Sequence, residues 1–300
     1  GDGVLNMVRR FDEFDDERGQ FSYYTGARSG DVGPLTAAPT HVLAVAAHGS
    51  VSVRLLGFDT YEHVRADEEA LGLARMVSAA TTSVFPAAAI PVEIDLHFIP
   101  EGARFSLAKR VDWREGRPYA LAIFAREKKL VRTTPAHELY HVLATRWSLS
   151  SKPEATRRPG AASSYEEAAA ELYAACGALL AGETLPREEP SKDRVTIADP
   201  ERGDQAFEGT LAGDELIKAL DLIRTGANGK GFIGFGPLLA ATVFEQVFAG
   251  ATAITLASPQ GARLLTLCKE AAADPFAIEA WLAALGPTAG DSSPREASAD

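Results

Sequence analysis

The stretch TTPAHELYHVLATRW, residues 133–147, decides how the rest of this sequence is interpreted. Within it, HELYH places His137 and His141 four residues apart, with Glu138 directly after the first histidine. On an α-helix, residues at i and i+4 lie one above the other, with Cβ atoms about 5–6 Å apart. Two imidazoles at that spacing can bind one ion at about 2.0–2.1 Å, and the neighbouring carboxylate can serve as a general base. The pattern therefore predicts a helix that carries a catalytic zinc site.

An ordinary amphipathic helix with two solvent-facing histidines would show the same five residues. The surrounding sequence favours the metal site. Thr134 can cap the helix, and Pro135 suits its first turn because that N–H would be unpaired anyway. Val142 and Leu143 continue the apolar character, so we expect the helix to be partly buried. Two buried imidazoles without partners would be costly, and a bound metal removes that cost.

A catalytic zinc site needs a third protein ligand and one open position. No histidine follows His141, and Ala144 and Trp147 stand where the extended pattern HExxHxxGxxH requires Gly and His. His97 alternates with the apolar face of a predicted strand, which favours a solvated strand residue. The remaining histidines are His41, His48 and His63. A carboxylate from the next helix is therefore the better candidate.

The helix predicted at residues 163–181 offers that carboxylate. Glu167 and Glu171 are four residues apart and share a face, so one can bind metal while the other steadies a ligating histidine through its second ring nitrogen. Glu166 has only an alanine at that offset. A competing interpretation treats Ser164 to Glu167 as a capping box that merely starts the helix.

HELYH followed by ExxxE on an alanine-rich helix resembles the gluzincin metallopeptidases, the thermolysin-like clan. The resemblance covers residues 60–182, and it implies a minimal core of four parts in a fixed order. These parts are a backing helix at 61–84, a small sheet with an edge strand at 92–125, the HExxH helix at 133–148 and a glutamate helix at 163–181.

The resemblance also implies roles for individual residues. They are zinc ligands at His137, His141 and Glu167, a general base at Glu138 and, at Glu171, a carboxylate that holds a ligating histidine in place. Many members of the clan have Asp where Glu171 stands, so this chain departs from the pattern by one extra methylene. A downstream histidine stabilises the transition state in thermolysin-like enzymes, and this chain has none. Tyr165, Tyr173 or an arginine would have to serve instead, and the sequence does not choose among them.

The predicted fold class is α+β, with a small mixed sheet, a backing helix, the HExxH helix and the glutamate helix, followed by a helical C-terminal subdomain. Residues 119–125, YALAIFA, fit either an edge strand that pairs with an extended substrate or an interior strand. Further helices are predicted at 213–225, 236–249, 259–272 and 274–285. The expected segments are an N-terminal arm at 1–40, a metallopeptidase-like catalytic domain at 41–185, a linker at 186–209, the helical subdomain at 210–287 and a disordered tail at 288–300.

Composition excludes several classes of protein. The 300 residues carry a formal net charge of -11, which repels phosphate backbones and makes nucleic acid an unfavourable partner. No apolar run reaches the 18 or more residues that a membrane span needs. GKGFIG at 229–234 matches a dinucleotide fingerprint, but it follows a predicted helix where that fingerprint requires a strand, so we interpret it as a loop.

The two cysteines, Cys176 and Cys268, form no CxxC pair, which excludes a cysteine zinc cluster. They would form one disulfide in an exported protein or two buried thiols in a cytosolic one. Because the sequence begins with Gly1, a signal peptide could have been removed, and the expected location is then periplasmic or secreted.

These features together predict a zinc-dependent peptidase, with Zn²⁺ as cofactor and a peptide or protein as substrate. The alternative is a non-catalytic gluzincin-like scaffold that binds a protein or peptide partner, with zinc structural or absent. A structural protein with a chance motif is the third possibility. An intact Glu138 favours the catalytic hypothesis, because a purely structural site has no use for that carboxylate. The sequence leaves the substrate, the cleavage preference and the oligomeric state open.

Overall fold

A computed structural model shows a fold that mixes helices with small sheets, as predicted. It describes residues 41–57, 66–84, 92–99, 107–114, 117–126, 134–144, 159–189, 192–199, 201, 203–225 and 234–285. The predicted arm at 1–40 and the predicted tail at 288–300 lie outside these residues.

The largest sheet has five strands: β1 (His41–His48), β2 (Val51–Gly57), β3 (Val92–Ile99), β4 (Leu107–Arg114) and β5 (Arg117–Arg126). Their order is β1-β2-β3-β5-β4. The three central strands are parallel, while β1 and β4 each run antiparallel to their one neighbour in this sheet. Strands β1 and β2 form an antiparallel hairpin, and its turn places Gly49 at φ 57°, a conformation that favours glycine.

The position of β5 in the sheet decides between the two interpretations of YALAIFA. β5, which contains YALAIFA, lies between β3 and β4, so the interpretation of this segment as an edge strand is wrong. Its nearly continuous apolar sequence is typical of a strand that is covered on both faces. Among the described strands, β4 is the edge on this side of the sheet, and it pairs only with β5.

Three helices follow the order expected from the sequence: α1 (Ala66–Val84), α2 (Thr134–Ala144) and α3 (Pro159–Leu180). The backing helix α1 packs against β1 and β2 on one side and against α3 on the other. Its apolar residues recur at helical spacing, and Leu73, Met76 and Val77 are fully buried. The helix that contains HELYH, α2, packs on β5 and α3. Residues 61–65 of the predicted backing helix lie outside the described part.

Helix α3 begins earlier than predicted, which removes the capping-box interpretation. Since the helix begins at Pro159, Ser164 lies in its second turn and is completely buried. Glu167 is consequently an interior helical residue with no capping function. The end of the helix agrees with the prediction, because Gly182 adopts φ 88° and its N–H donates to the carbonyl of Leu179.

The segment 186–209, predicted as a linker, contains regular structure. Strands β7 (Arg194–Asp199) and β8 (Gly203–Glu208) form an antiparallel hairpin, and Val195 and Phe207 are buried beneath it. The two-residue strand β6 (Leu185–Pro186) pairs with β9 (Ala253–Ile254).

The predicted C-terminal helices are confirmed as α4 (Gly213–Thr225), α5 (Phe235–Phe248), α6 (Pro259–Ala273) and a shorter α7 (Ala277–Ala283). Helix α3 contacts α5 and α6 as well as α1 and α2. The described buried side chains form one connected core that extends across both predicted units. Within the described residues, we find no helix of the length and apolarity that crossing a membrane requires.

Candidate metal centre

The packing of α2 turns its two histidines toward α3. Ala136, Leu139 and Tyr140 of α2 are buried in the core. The Tyr140 hydroxyl donates to the carbonyl oxygen of Ala271 on α6 at 3.1 Å, which fixes the rotation of α2 about its axis. His137 lies on the half-buried side that faces α3.

Three polar groups meet between α2 and α3. The Nε2 atoms of His137 and His141 are 3.1 Å apart. The carboxylate of Glu167 lies 3.4 Å from Nε2 of His137 and 3.2 Å from Nε2 of His141. The three side chains are only 12–25% exposed. Among the described residues, this is the group of histidine, cysteine and acidic side chains placed to hold a metal ion.

The other ring nitrogens of the two histidines also contact carboxylates. Nδ1 of His137 lies 3.0 Å from Oε1 of Glu171, as the sequence argument anticipated for that residue. Nδ1 of His141 lies 2.9 Å from Oε1 of Glu166, which the sequence argument had set aside. The sequence could have indicated Glu166, because two imidazoles that bind one metal ion need two separate hydrogen-bond acceptors for their Nδ1–H groups.

The Nδ1 contacts suit the tautomer in which both imidazoles can bind one ion. An Nδ1 beside a carboxylate is a donor, so a neutral imidazole in that position has its lone pair on Nε2. In that tautomer, the Nε2 lone pairs of His137 and His141 point toward each other and toward Glu167, which is itself an acceptor. With both rings neutral, three acceptors converge there, and a cation between them, either an added proton or a metal ion, would stabilise the arrangement.

The pKa values of the cluster reflect the same preference for a cation. Burial alone would lower the pKa of His137, but hydrogen bonds to Glu167 and Glu171 outweigh it and raise the pKa to about 10. Burial alone would raise the pKa of Glu167, and contacts with His137 and His141 instead hold that pKa far below its usual range. The buried Glu138 adds to the negative potential at His137. The site therefore favours positive charge strongly.

The first turn of helix α5 packs against Glu167. At its start, Gly236 lies so close that an added Cβ atom would be 2.2 Å from Cβ of Glu167 and 3.2 Å from the backbone nitrogen of Ala168. Only glycine permits this approach. The first turn of α5 thereby limits how far Glu167 can move from the histidines.

The two tyrosines considered as transition-state stabilisers lie in the core. Tyr173 is fully buried, and its hydroxyl is 3.0 Å from Oγ1 of Thr81 on α1. Tyr165 is fully buried against Phe276, with ring centroids 5.8 Å apart. Burial of both side chains does not favour contact with a substrate. The side chain of His97 lies outside the described part of the structure.

Cys176 on α3 and Cys268 on α6 are free, buried thiols. The Cys176 thiol lies 3.7 Å from the carbonyl oxygen of Leu264. A hydrogen bond to the Cys176 sulfur, together with burial, raises the pKa of Cys268 well above its usual value. Of the two states left open by the sequence, the structure contains the pair of buried thiols.

Comparison with protein-family models, curated proteins and solved structures finds no match for this chain. Function must therefore be inferred from the residues and their geometry.

Proposed function

We propose that this protein is a zinc-dependent peptidase of the gluzincin type, with His137, His141 and Glu167 as metal ligands. The convergence of their acceptor atoms carries the proposal. Four ligands at about 2.0–2.1 Å from a tetrahedral zinc ion are about 3.3–3.4 Å from one another. The two Nε2 atoms are 3.1 Å apart, and each lies 3.2 or 3.4 Å from a different oxygen of the Glu167 carboxylate, which comes close to that figure.

The chemistry of the donor set favours zinc over harder cations. Two imidazoles and one carboxylate are the ligand types of a catalytic zinc site, whereas calcium and magnesium prefer all-oxygen environments. Three protein ligands leave a fourth position for water or substrate. Glu166 and Glu171 accept hydrogen bonds from the Nδ1–H groups of the two ligating rings, which orients the rings and increases the basicity of Nε2.

The order of elements supports the finer assignment. A backing helix, a mixed sheet, the HExxH helix and the glutamate helix follow one another as they do in the resembled clan. Helix α5, from the region predicted as a C-terminal subdomain, borders Glu167 and can form one wall of a cleft.

The metal ion and Glu138 would then have separate chemical roles. A bound zinc ion supplies Lewis acidity and lowers the pKa of water at the open position. Glu138, next to His137 on α2, would serve as the general base that takes the proton of the attacking water and passes it to the leaving amine. The partly buried position of the cluster excludes bulk water and strengthens these charge interactions. No residue in the described part is assigned to stabilise the transition-state oxyanion.

A peptide is the favoured substrate because β4 offers an edge beside β5, the strand that precedes α2. An extended peptide can add to such an edge through main-chain hydrogen bonds. The strand that pairs with the substrate would then be β4, because YALAIFA lies in the interior of the sheet.

The test combines metal analysis with hydrolysis of labelled casein. We expect about one zinc per chain in the wild type, a large loss of zinc in His137→Ala, and retained zinc without hydrolysis in Glu138→Gln. Glu215→Gln, an exposed glutamate in the first turn of α4, is the matched control and should behave as wild type.

Three outcomes would contradict the proposal at different steps. A wild-type protein that binds no zinc would remove the metal centre. Bound zinc with equal hydrolysis in wild type and Glu138→Gln would remove the mechanism. Bound zinc without any hydrolysis in the wild type would favour the non-catalytic scaffold that binds a partner.

A further inference from the structure

A cavity of about 390 Å³ lies beside the metal cluster, between α3, α5 and the segment that follows α3. Its volume is within the range of about 300–1,000 Å³ typical of ligand pockets. Its floor is apolar and is formed by Ala174 of α3, Leu185 of β6, and Ala240, Phe244 and Phe248 of α5. Such a floor suits an aliphatic group.

The rim of the same cavity is acidic. Its described carboxylates are Glu171, Glu188, Glu189, Asp193 and Glu245. Arg187 is the cation among the described lining residues, and it pairs with Glu245. With five carboxylates and one guanidinium among the described lining residues, the rim carries net negative charge around an apolar floor.

We propose that this cavity receives a lysine or arginine side chain of a peptide substrate. The aliphatic stem of either residue would lie on the alanines and phenylalanines, and the cationic head would remain at the rim among the carboxylates. This inference rests on the proposed peptidase function and names the class of substrate that the site takes.

Other side chains fit the cavity less well. A neutral aliphatic side chain would contact the floor but would partly desolvate the carboxylates without any compensating charge. An acidic side chain would meet like charges at the rim and be repelled. The combination of apolar floor and acidic rim thus selects a side chain that is itself aliphatic along its length and positive at its end.

The cavity is directly connected to the metal cluster through Glu171. Its Oε1 atom lies 3.0 Å from Nδ1 of His137, and the same residue lines the cavity. One extended residue spans about 3.3–3.6 Å, so a basic side chain in the cavity would belong to a residue within about two positions of the bond at the metal. The pocket would thereby set the cleavage preference.

The test measures binding and cleavage separately. For binding, fluorescein-labelled octapeptides of alanine and serine carry one central lysine, norleucine or glutamate, and fluorescence anisotropy gives their affinities. The pocket variant is Glu188→Gln with Glu189→Gln. The matched control is Glu215→Gln with Glu270→Gln, which removes the same charge from exposed positions outside the cavity.

We expect the wild type to bind the lysine peptide about five- to tenfold more tightly than the norleucine peptide at low ionic strength, with the preference decreasing in salt. The pocket variant should lose most of this preference, and the control variant should keep it. Equal binding of the lysine and norleucine peptides by the wild type, or an unchanged preference in the pocket variant, would overturn the inference.

For cleavage, zinc-loaded wild type is incubated with a tryptophan-capped random peptide library, and mass spectrometry identifies the bonds that break. Lysine or arginine enriched within two residues of those bonds supports the pocket. Cleavage without that enrichment overturns the pocket and leaves the peptidase intact. A lysine preference in binding together with no cleavage rejects the peptidase and retains the pocket as a binding site for basic peptides.

Discussion

The close contact between α5 and Glu167 allows the metal centre to be perturbed without changing a ligand. In Gly236→Ala, the new methyl group would begin 2.2 Å from Cβ of Glu167, whereas ordinary contacts of this kind start at 3.4 Å. The two atoms must separate by about 1.2 Å or more. The backbone of α3 lies 3.2 Å away on the same side, so rotation of one side chain cannot relieve the clash.

That displacement is large for a metal site. Ligand distances in zinc centres are held within about 0.2 Å, so a shift of Glu167 of this size should weaken zinc binding by about tenfold or more. Overpacking should also lower the free energy of unfolding by about 1–3 kcal/mol. Competition with a chromophoric chelator measures the zinc affinity, and urea unfolding in the presence of EDTA measures the stability.

Gly177→Ala provides a control on the same helix. An added Cβ there would lie 2.9 Å from Cγ and 3.1 Å from the carbonyl oxygen of Met76, so the α1–α3 contact would be overpacked as well. Gly177 is ten residues from Glu167, or about 15 Å along the helix, so we expect lower stability with unchanged zinc affinity. The reasoning would be refuted if Gly236→Ala lost stability to the same degree as Gly177→Ala but bound zinc as tightly as wild type.

Four other predictions concern the cluster and the cysteines. Glu166→Gln should weaken zinc binding about 10–100-fold by chelator competition, and a change below about twofold would argue against its contact with His141. Zinc binding at pH 8 should release about one proton, since the pKa of His137 is about 10 in the metal-free protein; calorimetry in buffers of different ionisation enthalpy measures this, and zero release would contradict it. Without metal, the stability that His137 contributes is present below its ordinary pKa of 6.5 and is lost as pH rises through about 10, so EDTA-treated protein should unfold at lower urea at pH 10 than at pH 7, and His137→Gln should reduce that difference. Cys176 and Cys268 should react with a thiol reagent only after unfolding, and fewer than two thiols in denaturant without reductant would reveal a disulfide.

Local sequence patterns predict the type and order of the elements well. The 3.6-residue spacing of Leu73, Met76 and Val77 predicts α1, and alternation predicts β3. Positions of element ends and neighbours depend on tertiary contacts, which local patterns do not contain. Ser164 looks like a cap because Ser is favoured there, but burial against the core makes it an interior residue of α3.

The interval 186–209 shows a second limit of sequence reasoning. Polar residues and prolines favour a linker, yet Val195 and Phe207 alternate with polar neighbours in two short strands of six residues each. Such strands are short enough for their apolar positions to be overlooked, and their stability comes from packing onto the helices. The cavity next to Glu171 depends on this same region, so the sequence alone could not indicate it.

The adjacent glutamates 166 and 167 illustrate how the candidate site depends on packing. Neighbouring residues on a helix point about 100° apart, so the two carboxylates cannot share one role, and sequence reasoning treated them as competitors for it. In the structure, both carboxylates contact His141. Glu166 lies 2.9 Å from Nδ1, and Glu167 lies 3.2 Å from Nε2. One imidazole is thus held from both sides by consecutive residues. This arrangement requires α3 to approach α2 closely, which the buried alanines at 168 and 169 permit. Glu171 contacts the Nδ1 atom of His137 one turn further along the helix, so three carboxylates on α3 orient two histidines on α2 and leave both Nε2 lone pairs directed at one point.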